Sequence, residues 1–376
     1  MPITSGQTTQ SRGSRSAPEP ARSVAVQFSA RATLLIGGGA HPEVDAAVLD
    51  WCVEERINSP ARLDLLMLNW GTVGTTTGLR FDDHRVFDYG RPIELRCGNG
   101  TTLFSGTVCA LGDEFPGDAP PRARVVAADR LQGLASPVRN RSFADIDDAG
   151  VARRVAADHG LQPDIDLPGP TRKLIAQLDC SDLDFLRQRA AVCDARLRVD
   201  GTRLAVRRFD AVDAPPMAFA LGQELQSFSV EADLRGQPTS LTVVGWGAAQ
   251  KEALRARATL EPSAADLPGG DTAAAIVARV GGDAPLFIGA ASAGSASEAS
   301  DLARALLAAK ARSFVNGTGR LASLAVGLHA GSVVDLGGLG PLHGGHYRVT
   351  ALRRRFDPTQ GLFTEFEVQR NALGHV

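Results

Sequence analysis

The sequence predicts a mainly β protein with an α+β insertion, in which two related β-barrel domains flank a small α+β domain. Three observations favour this fold class. Apolar and polar residues alternate along short stretches near both ends of the chain, separated by Gly, Asn and Pro turns. Helical periodicity is concentrated in the middle of the chain. Two segments, one near each end, share the same order of strand, glycine-rich turn and strand.

Four regions follow from these patterns. Residues 1–23 are rich in Ser, Thr, Pro and Arg and predict a disordered arm. A first β-barrel domain is predicted over 24–135, and an inserted α+β domain over 136–215. A second β-barrel domain is predicted over 216–376, with a helical insertion around 250–315.

The first domain begins with alternating residues. Val24, Val26 and Phe28 alternate with small or polar residues, which predicts a strand. Residues 46–56 and 61–69 flank an Asn-Ser-Pro turn and predict a hairpin. The composition of 46–56 also suits a short helix, so this alternative stays open at the level of sequence.

A second hairpin is predicted over 92–115, because an Asn-Gly pair lies between two alternating stretches. A further strand is predicted over 122–128. The glycine-rich segment 37–40 follows three apolar residues, which is also the setting of a phosphate-binding loop. It lacks the glycine and lysine spacing that such loops need, so we expect a sharp turn there.

The middle of the chain changes character. Residues 146–160 and 181–194 repeat apolar residues every three or four positions, which predicts two helices. Ser181 and Asp184 have the spacing of a capping box, with Asp in place of the usual Glu. Residues 196–208 alternate on both sides of an Asp-Gly pair and predict a hairpin.

The last region returns to β structure. A helix is predicted over 297–313, with Leu302, Leu306 and Ala309 on one face. Residues 248–295 are too rich in Ala and Gly to assign. Strands are predicted over 225–234, 239–246, 332–336, 346–356 and 362–370.

Two of these segments have a common layout. Residues 93–115 and 333–356 both contain a strand, a glycine-rich turn and a second strand, and both end in Phe. A duplicated β-barrel, with one copy on each side of the α+β domain, would explain the likeness. A ring of three such chains would then present six similar barrels. Chance similarity between two glycine-turn hairpins is the alternative explanation.

Composition excludes several classes of protein. The net charge of the 376-residue chain is −2, without the basic excess typical of nucleic-acid-binding proteins. The five cysteines are odd in number and lack CxxC spacing, so we expect free thiols. Residues 1–23 do not resemble a secretory signal, and no stretch reaches the ~18 apolar residues that cross a bilayer. We therefore expect synthesis in the cytoplasm and no direct membrane insertion.

No motif predicts a catalytic, cofactor-binding or metal-binding residue. His343 and His346 bracket two glycines but lack a carboxylate partner, so a metal site is a weak hypothesis. Asp179, Asp182 and Asp184 could supply paired carboxylates for a glycosidase. Their position at a helix start favours capping instead.

Several segments carry a resemblance to a known family. The sequence resembles the phage late control D proteins, also called baseplate hub proteins, which are related to the N-terminal half of VgrG spike proteins. The likeness extends from about residue 46 to 371. It is carried by residues 81–108 with the LFSGTV hairpin, 145–166, 177–201 with SDLDFLRQRA, 245–254, 330–357 and 364–368.

The resemblance implies a non-enzymatic, structural role without cofactors. It implies a homotrimer with two tail-tube-like barrels per chain, which forms a pseudo-sixfold ring. The ring would join a hexameric tail tube to a trimeric central spike, among other baseplate proteins of a phage tail-like particle or injection system. Because the sequence ends at Val376, soon after the last predicted strand, we expect a separate spike subunit.

We also predict residues for the contacts between subunits. Arg353 and Arg355 share a strand face and either line a lumen, pair with acidic groups of a neighbour or face solvent. The predicted interface residues are Phe104, Val108, Tyr347, Val349, Arg353, Arg355 and Phe366. The alternative functions are a cell-wall hydrolase carried by such a particle and the hub half of a type VI secretion spike.

Overall fold

The computed structural model describes residues 32–374, apart from Asn99, Pro168, 248–250, 261–265, Ser292 and Gly294. The predicted arm over 1–23 and the strand predicted at Val24, Val26 and Phe28 lie outside the described residues.

The first region is built from strands. A 3-10 helix over Arg130–Ala135 closes it. The other elements are β1 (Thr33–Ile36), β2 (Gly39–Ala40), α1 (Pro42–Asp45), β3 (Val48–Arg56), β4 (Arg62–Leu68), β5 (Trp70–Val73), β6 (Thr76–Leu79), β7 (Pro92–Arg96), β8 (Thr102–Glu114) and β9 (Arg122–Ala128).

The hairpins predicted in this region are confirmed. Residues 48–56 form a strand and not a helix, with Trp51 and Val53 facing the core on alternate positions. Asn58 turns the chain into β4 with a φ of 59°. The glycine-rich segment after β1 is a sharp turn, in which Gly37 and Gly38 both have positive φ.

The middle region contains both helices and strands. Its elements are β10 (Val138–Ile146), α2 (Asp148–Asp158), β11 (Gln162–Asp166), β12 (Arg172–Ser181), α3 (Asp182–Val192), β13 (Ala195–Asp200) and β14 (Arg203–Arg208). Strands β10 and β12 form one small sheet, and β11, β14 and β13 form another. The two predicted helices and the predicted hairpin are confirmed.

The last region has the largest number of elements. These are β15 (Met217–Ala220), β16 (Leu225–Ala232), β17 (Ser240–Gly247), β18 (Glu252–Thr259), β19 (Asp271–Thr272), α4 (Ala273–Val280), β20 (Pro285–Ala291), α5 (Ala296–Arg312), β21 (Val315–Leu321), β22 (Val333–Gly337), α6 (Gly340–His343), β23 (Gly345–Asp357), β24 (Gly361–Arg370) and β25 (Ala372–Leu373). The five predicted strands are confirmed.

Two expectations in this region need correction. The buried face of α5 is formed by Ala299, Ala303 and Leu307, whereas the predicted Ala309 is exposed. Small residues of α5 pack closely against the sheet, so the size of the side chains alone did not identify the buried face of this helix. The stretch around 250–315, expected to be helical, also contains β18 and β20, which flank β17 in a three-stranded sheet under α5.

The largest sheet contains two sets of five strands with the same order. We name β3, β4, β7, β8 and β9 the first repeat, and β16, β21, β22, β23 and β24 the second repeat. Their orders across the sheet are β7-β8-β9-β4-β3 and β22-β23-β24-β21-β16, and all of these pairings are antiparallel. Each strand therefore occupies an equivalent place in its repeat.

The register of the two repeats is also the same. A bulge follows Val108 in β8, and an equivalent bulge follows Val349 in β23. The first strands of the repeats, β3 and β16, each have a bulge after their first residue. Bulges fix the pairing register of neighbouring strands. The four bulges therefore show which residues of the two repeats are equivalent. The likeness between residues 93–115 and 333–356 has this structural counterpart.

Side-chain volumes are exchanged between the repeats. Val125 faces Leu65 in the first repeat, and at the equivalent position of the second repeat Phe366 faces Gly319. A Cβ on Gly319 would lie 2.3 Å from Cζ of Phe366. The larger ring thus requires glycine on the neighbouring strand, and the summed volume is roughly kept.

Candidate assembly surface

The two repeats meet along one pair of strands. Residues 51–56 of β3 pair with 351–356 of β23 in an antiparallel arrangement, from Arg56 opposite Ala351 to Trp51 opposite Phe356. We name this pairing the internal joint. It joins the repeats into one sheet of 13 strands.

One face of the internal joint is polar and accessible. Arg353 Nη2 donates to Glu54 Oε1 at 3.2 Å, and Arg355 Nη2 donates to Asp50 Oδ2 at 3.5 Å. Burial is the main reason why the pKa of Asp50 lies above its usual range, and the charge of Arg355 opposes this shift. Exposed pairs of this kind add little stability individually.

The opposite face of the internal joint holds a buried ion pair. Arg354 Nη1 donates to Glu55 Oε1 at 2.5 Å, and His329 lies 3.2 Å from the other oxygen of Glu55. Burial acts to raise the pKa of Glu55. The hydrogen bond with His329 and the charge of Arg354 outweigh it, and the pKa falls to about 2. The remaining donors of Arg354 reach the carbonyl oxygens of Leu324, Ala325 and Leu328.

Most of the predicted interface residues are core residues. Phe104, Val108, Tyr347, Val349 and Phe366 are all buried within the chain. They have almost no accessible surface. In this conformation they would pack beneath a contact surface without being part of it. Arg353 and Arg355 remain accessible and lie on the same face, as expected. The structure therefore brings together only these two of the predicted residues on an accessible face.

Sequence reasoning missed Arg354. Three consecutive arginines occupy positions 353–355, and only the outer two were predicted as contact residues, whereas the middle one is 1% exposed. The signal was available, because side chains alternate between the two faces of a strand. A strand that presents Arg353 and Arg355 outwards must turn the arginine between them towards the core.

The acidic cluster in the middle region has structural partners. Ser181 Oγ accepts from the Asp184 backbone N–H at 3.1 Å, which confirms the cap at the start of α3. Asp182 is buried and accepts from Arg141 at 2.7 Å. Burial acts to raise the pKa of Asp182, but the bond with His159 and its other partners lower it overall. Asp182 is thus a stably ionised structural group.

The two histidines considered for a metal site lie in α6 and β23. His343 ends α6 and His346 lies in β23, and no group of three or more His, Cys, Asp or Glu side chains within the described ranges is placed to hold a metal ion. None of the described helices is both long and apolar enough to cross a membrane.

The fold is that of phage tail proteins. The 43 kDa tail protein of prophage MuSo2 from Shewanella oneidensis matches with a TM-score of 0.68 and 14% identity, over 90% of this chain and 98% of that one. A tail protein from Neisseria meningitidis MC58 matches with a TM-score of 0.66 and 12% identity, over 91% and 97% of the two chains. The resemblance to baseplate hub proteins is thereby confirmed at the level of the fold.

A type VI secretion system component from E. coli also has this fold. It matches with a TM-score of 0.58 and 11% identity, over 89% of this chain and 76% of that one. That protein is described as similar in structure to the bacteriophage T4 tail proteins gp27 and gp5.

The sequence itself assigns a family. Residues 30–357 match the family model described as the Alg8 N-terminal domain, and the chain belongs to this family. No curated protein matches the sequence significantly.

Proposed function

We propose that this chain is a structural hub subunit of a contractile phage tail-like particle or injection system. Three copies form a ring that presents six similar β-barrel units. One side of the ring receives a hexameric tail tube, and the other receives a trimeric central spike. The protein acts by burying surface against these partners and other baseplate proteins, and it catalyses no reaction.

One observation carries the proposal. The two repeats have the same strand order, the same register and the same bulges, and they lie side by side in one sheet. Two equivalent units per chain convert a ring of three chains into a ring of six units. Such a ring can match threefold and sixfold partners at once, which a single unit per chain cannot do.

The accessible polar face of the internal joint suits a contact with assembled partners. Arg353 and Arg355 hold their acidic partners loosely, so exchanging these pairs for intermolecular ones costs little. We propose these two arginines as contact residues of the particle. Their guanidinium groups favour acidic groups on a neighbouring protein.

The proposal is tested by recovering the protein from its native host through a C-terminal tag. Negative-stain microscopy of the eluate should show sheathed particles or baseplates that contain this subunit where the tube meets the spike. Lone monomers, from cells that also express tail tube and sheath proteins, would contradict the proposal. Cell-wall cleavage by the purified chain would support the hydrolase alternative instead.

A further inference from the structure

The two repeats differ in what pairs with their longest strands. In the second repeat, one edge of β23 pairs with β24, and the other edge pairs first with β22 and then with β3. In the first repeat, one edge of β8 pairs with β9, and the other edge pairs with β7. Among the described strands, none continues along this second edge of β8 over residues 110–114. The place that β3 fills in the second repeat is vacant in the first.

Exposure follows this difference. Ala351 and Leu352, which lie in the internal joint, are 3% and 1% exposed. Their equivalents immediately after the bulge of β8 are Ala110, which is exposed, and Leu111, which is half-buried. Phe115, at the end of the vacant edge, is 65% exposed. A missing neighbouring strand accounts for all three.

A second vacancy lies at the other end of the sheet. Strand β3 pairs with β4 on one edge and with β23 on the other. Its equivalent β16 pairs with β21 on one edge, and among the described residues its other edge has only an isolated bridge, between Leu225 and Leu221. Phe228 and Val230 are half-buried, where the equivalent Trp51 and Val53 are fully buried. Unpaired strand edges of this length invite pairing with another chain.

We propose that residues 110–115 of one copy pair with residues 228–233 of a second copy, in the register of the internal joint. This inference rests on the proposed ring and names the strands that close it. The vacant edges occur on strands of different repeats, and within the described chain no pairing connects them. Each copy offers both edges, so the contact is head-to-tail, the kind of contact that forms a ring when the rotation between copies closes.

The bulges determine the register. Counting from them, Ala110 is equivalent to Ala351, and Asp233 is equivalent to Arg56. Ala110 of one copy therefore faces Asp233 of the next. Gly112 then faces Glu231, and Phe115 faces Phe228.

The side chains suit this register. Phe115 and Phe228 take the places of Phe356 and Trp51, so an aromatic pair ends both pairings. In this register Glu231 would lie across Gly112 from Arg124, which faces Gly112 on β9 and also donates to Asp64 at 2.8 Å. Gly112 has no side chain to separate these two charges. Glu231 and Arg124, on either side of Gly112, thus replace the pairing of Glu54 with Arg353.

Disulfide cross-linking tests the register directly. The double variant Gly112→Cys with Glu231→Cys is made in full-length protein carrying Cys109→Ser, which removes the exposed native thiol. A Cβ at Gly112 meets no atom within 4 Å, so the thiol is tolerated. Directly opposed residues in an antiparallel pair have a Cα separation within the range that a disulfide spans. Asp113→Cys with Glu231→Cys is the control, because these residues would point to opposite faces.

We expect mild oxidation to link most of the first variant into species of two and three chains on non-reducing gels, while the control stays unlinked. Native mass spectrometry of the unmodified protein is measured in parallel. A trimer in which the first variant forms no link, or links no better than the control, overturns this joint and leaves the proposed ring standing. A chain that stays monomeric and unlinked overturns both.

A second variant tests the joint without new thiols. Phe115→Asp should abolish the trimer and leave the separated chain folded by circular dichroism, because Phe115 is largely exposed. Phe287→Asp is the matched control, since Phe287 is 61% exposed on the separate sheet of β17, β18 and β20. A Phe115→Asp protein that remains a trimer overturns the joint.

Discussion

The internal joint and the vacant edge of β8 have the same register but opposite chemistry. Arg354 in the internal joint is buried and bound to Glu55, whereas Asp113 occupies the equivalent position in β8 and its side of the strand is exposed. A permanent contact within a chain can enclose an ion pair. An edge that waits for a partner must remain soluble, and charged residues on such edges oppose unwanted pairing. In the proposed ring, the first edge is closed during folding and the second is closed during assembly.

The largest expected effect is a loss of stability in the internal joint. Arg354→Met leaves the Glu55 carboxylate buried without its cation, and removing one member of a buried pair costs about 3–5 kcal/mol. The free energy of unfolding from urea titration measures this loss. Arg353→Met, next to it on the exposed face, is the control and should cost less than about 1 kcal/mol. Equal losses in the two variants would contradict the special role of Arg354.

A pH titration sharpens the same comparison. The folded pKa of Glu55 is lowered to about 2, from an ordinary value of 4.5. Its contribution to stability is therefore present above pH 4.5 and is lost as the pH falls towards 2, with a size of up to about 3 kcal/mol. The difference in unfolding free energy between the native protein and Glu55→Gln should shrink over this range. A difference that is independent of pH would show that the carboxylate does not carry this stability.

The next effect concerns the exchange of volume between the repeats. Gly319→Ala places a Cβ against the Phe366 ring and should cost about 1–3 kcal/mol. Gly112→Ala, also in a strand but with open space around it, is the control. The double variant Gly319→Leu with Phe366→Val recreates the pair found in the first repeat. It should therefore lose less stability than the sum of the losses in the two single variants. Strict additivity of the two substitutions would contradict a compensating pair.

The smallest effect is expected on the exposed face of the internal joint. Arg355→Gln removes a 3.5 Å contact with Asp50 between accessible side chains. The unfolding free energy should change by less than about 1 kcal/mol. Binding to the remaining particle components, measured by the yield of co-purified proteins, should fall if this arginine contacts them. A large loss of stability would instead place Arg355 in the folding core.

The sequence was most informative where contacts are local. The Ser181 cap and the Asp-Gly and Asn-Gly hairpins depend on residues a few positions apart, and all of them could be predicted. The long-range register of the strands could not be predicted, because no short sequence pattern indicates that β23 pairs with a strand almost 300 residues earlier. The exchange of Leu65 and Val125 for Gly319 and Phe366 restricted the predicted likeness to the two hairpins, since the equivalent residues of the other strands differ in size. The candidate surface depended on this register, so only Arg353 and Arg355 were predicted on it.

The most direct test of the central claim is cryo-electron microscopy of particles recovered through the tagged protein. We expect three copies in a closed ring, with the six repeats at nearly equal angular spacing around the axis. Strand β8 of each copy should lie against β16 of the next, in continuation of the sheet. A ring in which only one repeat per chain surrounds the axis, or a number of copies other than three, would contradict it.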